Sequence, residues 1–590
     1  MENMFERIGR WLESPRTPIA CALVAVLLSI SSLRLGLQAD DHMLLRGIET
    51  GAPLFGLWRV TPERFAYLQA KGAFAWWSGP DVDVAFLRPL GELSHRLDLI
   101  VWGDNAAPIG GIAPALRGGA IAMHLENVLL YGLIAWLAAL VFRELLPARL
   151  AGLAALMFVL NDAHGSSVGW ISGRNTLLAA LFGLAAVLTH VREPRAVGRS
   201  VLSALLLALS LASGEAGAAT LGYLAAHALL LAEGPLRERV RALWLHGVVA
   251  LAWLALYLGG GYGARGVGAY RDFAAAPLET LAQGLLDVPA WLFSQLGVSM
   301  VGALLAAPDA PARVLPAVLV LPLLALVLPV LREDRRSHFF ALAMGLAILP
   351  LFTTVPQDRT LLGASLGGFG LLACVLGRIA HSASRLRRGG LYLLAALHLV
   401  LSPLLFPSAL KSMSGIDAGA RAVVAALPEV PGRDVILVNS PVELLSLFAV
   451  AIELRAGGPD PASLQQLYAG HAVLSVARID TRTLELTASP GYCNRRIERF
   501  FTSPGWSARV GEERRVGPAS CNHEPLRVTV LAVDARGWPT RVRFGFEEPL
   551  EATRYAWRSW QGQRAVPWKP PGVGERVALP GLSLATAFPR

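Results

Sequence analysis

The chain has 590 residues, of which 54% are hydrophobic and only 16% are charged. A soluble globular protein carries about a quarter charged residues, and here the apolar residues come in long blocks, so a soluble fold is excluded. The formal charge of +10 raises nucleic acid as a partner. Most arginines before residue 410 instead sit in short loops between apolar runs, where they report membrane topology.

The segment MENMFERIGRWLESPR is polar, contains arginine and lacks a small-x-small cleavage site, so it reads as the flank of a signal anchor. The first apolar run, 17–37, is long enough to cross a bilayer. It ends in QADDHMLL, which places Asp40 and Asp41 where the chain first meets water on the far side. Carboxylates that close to lipid are costly and usually functional. Capping a helix or facing solvent is their plain alternative. The first outer loop, 38–118, mixes Phe74, Trp76, Trp77, Phe86 and Trp102 with charges. Its stretch VDVAFLRPLGELSHRLDLIVW has helical apolar spacing, which predicts a helix lying on the membrane surface.

Further apolar runs lie at 119–141, 148–163, 173–191, 199–213, 216–232, 241–260, 314–331, 338–355, 361–377 and 391–407, giving about eleven spans in all. With the N-terminus in the cytoplasm, alternate loops carry the arginine clusters 143–149, 192–199, 237–241, 332–336 and 378–388. This alternation holds only if 277–306 does not cross. Glu279, Gln283, Asp287, Pro289 and Gln295 mark that segment as interfacial or re-entrant. An odd number of crossings puts the C-terminus outside. For a bacterial inner membrane, that is the oxidising periplasm.

From 411 to 590 the character changes. DVILVNS, LRVTVLAVD and TRVRFGFEE read as strands, DARG and SWQG as hairpin turns, and 441–456 as helical. The expected architecture is a polytopic α-helical membrane domain, 1–410, followed by a soluble, mainly β periplasmic domain, 411–590. Trp538, Trp557, Trp560 and Trp568 are either core residues or a sugar platform. Of four cysteines, Cys493 and Cys521 fall in this region. Spacing leaves a disulfide and two free thiols equally open, and the periplasmic location favours the disulfide.

On this topology the unusual polar residues gather on the outer side: Asp40 and Asp41, then Asp162, His164 and Arg174, then Glu215, then Asp358 and Arg359. Guanidinium forks bind phosphate oxygens, and a carboxylate can take a proton from an attacking hydroxyl. The arginines have an alternative as snorkelling anchors, Glu215 as an exposed turn, and His164 as a hydrogen-bonded loop residue. No metal-ligand spacing stands out; His42 beside Asp41 is compatible with a divalent metal, but two residues make a weak site.

Several short motifs in order resemble the GT-C integral-membrane glycosyltransferases, particularly the O-mannosyltransferase-like branch found with tetratricopeptide repeats. They are Asp40-Asp41, Arg88-Pro89-Leu90, His124 with Asn127, His164 with Gly173-Arg174, Ser213-Gly214-Glu215, and Asp358-Arg359 with Ser365-Leu366-Gly367. The resemblance implies a sugar donor on a polyprenyl phosphate and reaction on the outer face. Asp40 or Asp41 would be the catalytic base. Arg174 and Arg359 would hold the lipid phosphate, with Arg88, His124, Asn127, His164, Glu215 and Asp358 in support. The sequence departs from the pattern at Ser166, Gly214, Asn175-Thr176 and Asp358, and no tetratricopeptide repeats follow. Two other functions stay open: an inactive scaffold that binds glycan or lipid, and a secondary transporter. Transporters, however, place polar groups at the bilayer midplane rather than at span ends.

Overall fold

The computed structural model describes residues 4–79, 81–102, 118–194, 196–305, 307–428, 432–456, 462–503, 505–517 and 524–583. Among the described residues, seven helical stretches are long and apolar enough to cross a membrane: Thr17–Arg34, Gly119–Leu145, Ile171–Arg192, Asp309–Leu331, Arg335–Thr353, Asp358–Ala380 and Arg385–Val424. Three more of the expected runs form shorter apolar helices, Ala148–Leu160, Val197–Ser213 and Trp244–Gly259. The run at 216–232 is broken into a 3-10 turn, Glu215–Ala218, an α-helix, Ala219–Ala226, and a π-helical turn, His227–Leu231. Every expected apolar run is therefore helical, while seven meet the length and hydropathy of a span on their own. Many leucines on these helices face outward, including Leu23, Leu133, Leu205, Leu251 and Leu321.

The segment at 277–306 forms the helix Pro277–Leu296, which is 20 residues long yet falls outside the seven. Glu279 and Asp287 lower its hydropathy, and Asp287 is buried. The Asp287 carboxylate accepts from Arg271 and, at 3.2 Å, from Arg496 Nη2. Arg499 Nη2 donates to Asp309 Oδ1 at 2.6 Å. These pairs fasten the C-terminal part to the membrane part.

The loop at 38–118, expected on the outer side, is more structured than its composition implies. It holds helices Asp40–Glu49, Pro62–Ala70 and Pro89–Trp102. Strands Arg59–Val60 and Asp83–Ala85 join Gly263–Arg265 in a three-stranded sheet. The expected surface helix thus begins at Pro89, after a strand. Its amphipathy is inverted: Glu92, His95 and Asp98 are buried, while Leu93, Leu97 and Ile100 are exposed, Ile100 at 81%. An apolar face turned outward suits a lipid surface. Part of the loop, 103–117, lies outside the described residues. Trp76 and Trp77 pack into the C-terminal core against Tyr492. Trp77 Nε1 donates to Glu443 Oε2 at 2.9 Å, and Trp76 Nε1 donates to the Leu467 carbonyl at 3.2 Å.

The C-terminal part has two sheets. In the four-stranded one, Tyr555–Gln561, Asp434–Leu437 and Ser463–Gln466 run parallel. The helix Leu444–Ala456, expected near 441–456, makes the crossover between the last two. Asp434–Leu437 is buried along its whole length, as parallel central strands are. The other sheet is six-stranded and antiparallel among its neighbours. Its strands Val473–Arg478 and Thr483–Ser489 alternate buried and exposed positions. DARG and SWQG are hairpin turns, with Gly537 and Gly562 at φ +82° and +60°. Trp557 and Trp560 are core residues, whereas Trp538 and Trp568 are partly buried at its edge. Near the expected boundary the helix Ser402–Leu410 ends, a turn covers 411–413, and a separate helix, Ser414–Val424, follows. Cys493 is a buried thiol, 3.9 Å from Thr502 Oγ1. Cys521 lies outside the described residues, so its pairing with Cys493 remains an expectation.

The Trp77–Glu443 contact gives a stability prediction. Burial pushes the Glu443 carboxyl up to about 8, and Trp77 supplies one of its donors. Trp77→Ala should destabilise the protein by about 3–5 kcal/mol through lost packing and the orphaned acid. Trp77→Phe should fall between it and wild type. Thermal unfolding of the detergent-purified protein tests the order.

Candidate active site

The Asp40-Asp41 pair opens the helix Asp40–Glu49, where the positive end of the helix dipole favours acids. The preceding residue, Ala39, is wholly buried at φ +50°, a left-handed conformation that alanine rarely adopts and surrounding contacts must hold. Its N–H donates to Asp417 Oδ1 at 3.1 Å. The two acids then diverge. Asp41 is fully buried and accepts from Gln38 N–H at 2.9 Å, Ser172 N–H at 2.8 Å and Ser172 Oγ at 2.6 Å. Burial pushes its carboxyl up to about 7 against the pull of those bonds. Asp40 stays partly exposed. Among the described residues its carboxylate accepts no hydrogen bond. Burial raises it to about 6, while the charges of Arg359 and Arg88 pull it down.

Those two guanidiniums are held from different elements. Arg88 lies just before the helix Pro89–Trp102. Its Nε donates to Glu215 Oε2 at 2.9 Å, and Leu87 N–H donates to Glu215 Oε1 at 3.2 Å. Its charge lies 4.1 Å from the Phe86 ring centre and 5.3 Å from that of Trp58. Arg359 sits in the turn Asp358–Leu361. Its Nε donates to Gln357 Oε1 at 2.7 Å, and its charge lies 4.9 Å from the Trp170 ring centre. The Asp358 carboxylate accepts from Ser294 Oγ at 3.0 Å and Gly302 N–H at 2.9 Å. Asp40, Arg88, Glu215 and Arg359, spread over more than three hundred residues of sequence, therefore form one electrostatic group.

The other expected residues occupy buried scaffolding. Arg174, expected to hold the lipid phosphate, is 1% exposed. Its Nε donates to Asn127 Oδ1 at 2.9 Å and its Nη2 to the Met123 carbonyl at 2.9 Å. Its Nη1 meets Asp98 Oδ2 at 2.5 Å and Glu126 Oε2 at 2.8 Å. Four of its five N–H donors are engaged in this way, which leaves a single one for a phosphate. Asn127 Nδ2 also donates to the carbonyls of Val168 and Trp170 at 3.2 and 3.1 Å. His124 Nε2 lies 2.9 Å from the Gly36 carbonyl. His164 lies between Tyr131 Oη at 3.2 Å and Ser365 Oγ at 2.9 Å. His42 meets Asp417 Oδ1 at 3.3 Å and Arg421.

Sequence reasoning missed Asp98, Glu126, Trp170, Ser172 and Asp417. Asp98 had a signal: Glu92, His95 and Asp98 share one helical face at three-residue spacing, opposite the apolar one. Ser172 and Asp417 had none, because each acts through a partner distant in sequence.

No protein-family model matches the chain. Over 204 residues it is 31% identical to Protein O-mannosyl-transferase Tmtc1 of Drosophila melanogaster, a match covering 33% of this chain and 20% of that protein. The chain resembles a GT-C glycosyltransferase. It spans only about a fifth of the length of that curated relative, 20%. Among solved structures it is similar to an oligosaccharyltransferase of Archaeoglobus fulgidus in the apo form, at 12% identity and TM-score 0.42, over 76% of this chain and 64% of that one. It is also similar to ArnT of Cupriavidus metallidurans in the apo state, at 11% identity and TM-score 0.38, over 76% and 85%.

The two arginines should part company on substitution. Arg174→Met leaves the buried Asp98 and the partly exposed Glu126 without their cation and should destabilise the fold by about 3–5 kcal/mol. Arg359→Met removes only exposed and stacking contacts and should shift stability by about 1 kcal/mol. Folded yield by size exclusion and thermal melts distinguish them; equal losses would mean that Arg174 is not the structural one.

Proposed function

We propose that this chain is a membrane glycosyltransferase that moves a sugar from a polyprenyl-phosphate donor to a hydroxyl acceptor. On this reading the chain makes about eleven crossings of a bacterial inner membrane, with its N-terminus in the cytoplasm. The reaction and the C-terminal sheets lie on the periplasmic side. The observation that carries the reading is the Asp40 carboxylate, which is without a hydrogen bond among the described residues and within electrostatic reach of Arg88 and Arg359. The partial similarity to an O-mannosyl-transferase of Drosophila melanogaster supports sugar transfer.

The acceptor hydroxyl gives its proton to Asp40 as its oxygen bonds to the anomeric carbon. The bond from that carbon to the phosphate oxygen breaks, and the polyprenyl phosphate leaves with the electron pair. Arg359 neutralises the charge growing on that phosphate. It is better suited than Arg174, because its described partner is the neutral Gln357 and it remains partly exposed. Arg88, fixed by Glu215, keeps positive charge on the other side of the reacting group. Asp41 holds the turn from which Asp40 projects.

Asp40→Asn should lower transfer by about 10²–10⁴-fold while leaving folded yield unchanged. Asp41→Asn should lower the folded yield. A raised carboxyl holds its proton to higher pH, so transfer should be flat at neutral pH and fall as pH drops through about 6. Radiolabelled polyprenyl-phosphate sugars in proteoliposomes provide the assay. Absence of turnover with every donor would favour a scaffold that binds glycan or lipid, and ion-driven solute uptake by the same vesicles would favour a transporter.

A further inference from the structure

The stretch 51–58, GAPLFGLW, carries no charge. It turns sharply at its centre, where Gly56 N–H donates to the Pro53 carbonyl at 3.0 Å. The third residue of that turn is Phe55, at φ +65°. Glycine or asparagine is usual at such a position, and a bulky side chain there is an outlier. Leu54 and Phe55 are 55% and 47% exposed. The backbone is therefore held in a strained conformation to keep an aromatic ring on the surface.

The turn is clamped to a neighbouring helix. Glu92 Oε1 accepts from Phe55 N–H at 2.9 Å, and Glu92 Oε2 accepts from Leu57 N–H at 3.2 Å. Arg96 Nη2 donates to the carbonyls of Ala52 and Pro53 at 2.8 and 3.1 Å, and its Nε donates to Glu92 Oε1 at 2.9 Å. Glu92, Arg96 and Ile100 follow at four-residue spacing and form one row along Pro89–Trp102. Leu93 and Leu97 form the row beside it. The clamp thus sets the turn against the edge of the outward apolar face.

The far end of that face is tied to a spanning helix. Trp102 Nε1 donates to Glu126 Oε1 at 2.7 Å, on the helix Gly118–Leu145. No charged residue lies between Glu126 and Arg143. They are separated by a rise of about 26 Å, close to the ~30 Å of hydrocarbon in a bilayer. Glu126 therefore marks one edge of the apolar layer, and Leu125, Leu129 and Leu133 face outward beside and beyond it. The exposed face of Pro89–Trp102 is continuous with this lipid-facing belt at Trp102. At its other end it meets the 51–58 turn.

We propose that the Leu54–Phe55 turn is an anchor that enters the interface of the lipid bilayer. The tip offers two apolar side chains and no charge, as acyl chains near the headgroups require. Its backbone groups keep protein partners in Glu92 and Arg96, so they do not need water. Trp58 follows three residues later, and the Arg88 guanidinium lies 5.3 Å from its ring centre. The anchor thereby ties the segment beside that cation to a fixed depth at the membrane. It is independent of the reaction proposed above.

The test uses the full chain in vesicles of phosphatidylethanolamine and phosphatidylglycerol. Photoreactive benzoylphenylalanine replaces Phe55 or, as a control, Val510, which is 65% exposed in the C-terminal part. Irradiation should give a protein–lipid adduct by intact mass at position 55 and none at 510. Phe55→Trp gives a second readout that keeps an apolar ring at the tip. Its added emission should be lost in vesicles with brominated acyl chains and should survive acrylamide, a quencher confined to water. No lipid adduct at 55, equal adducts at both positions, a cross-link to a second copy of the chain instead, or quenching by acrylamide and not by bromine would overturn the assignment.

Discussion

The candidate active site depends on the hydrogen bonds between Asp41 and Ser172. They join the start of the long loop after the first apolar helix to the turn Ile171–Gly173, and so to the head of the helix that carries Arg174. Asp41 is wholly buried, and a buried carboxylate without its donors would be costly. The bond therefore fixes the loop entry, and with it the direction in which Asp40 leaves the chain. Gln38 tightens the same joint through the Gly169 carbonyl at 2.9 Å, and Ser414 holds Gln38 from the C-terminal side at 2.7 Å. Ala39, whose φ is positive, lies between Gln38 and Asp41, the two residues tied down in this way.

Two adjacent carboxylates thus acquire different chemistry from their environments. Asp41 is surrounded by donors that use both of its oxygens. Asp40 is offered charge at a distance and no donor among the described residues. A group that accepts no hydrogen bond, with its proton affinity raised by burial, is suited to collect a proton from a substrate. The arginines around it lower its affinity for that proton, and they do so less than burial raises it. The balance leaves Asp40 ionised at neutral pH but within reach of protonation in mild acid.

The helices were legible from the sequence because an apolar block admits few other folds in a membrane. The C-terminal hairpins were legible because DARG and SWQG carry glycine where φ is positive. What local pattern could not supply was partnership. Trp76 and Trp77 read only as aromatics mixed with charges in a long loop, yet they complete a core whose other members lie some four hundred residues later. Asp287 read as a polar mark on an interfacial helix, yet it anchors Arg271 and Arg496. The polar stripe of Pro89–Trp102 read as the wet side of a surface helix and is in fact its buried side. In a membrane protein the solvent can be the apolar phase, so polarity alone does not say which face turns inward.

Arg174 and Arg359 show the same limit at a single residue type. Both close a short outer turn, and both match a motif position with the same implied role. Arg174 is met by Asp98, Glu126, Asn127 and the Met123 carbonyl, a set that engages four of its five donors and balances its charge. Arg359 meets a neutral amide and an indole face, which orient a guanidinium without neutralising it. A buried and compensated cation stiffens the loop that carries the site. A partly exposed one, whose direct side-chain partners are neutral and whose charge is felt by Asp40, retains attraction for an anion. The division of labour follows from how many acceptors each neighbourhood supplies, and that number is set by chain segments a motif does not contain.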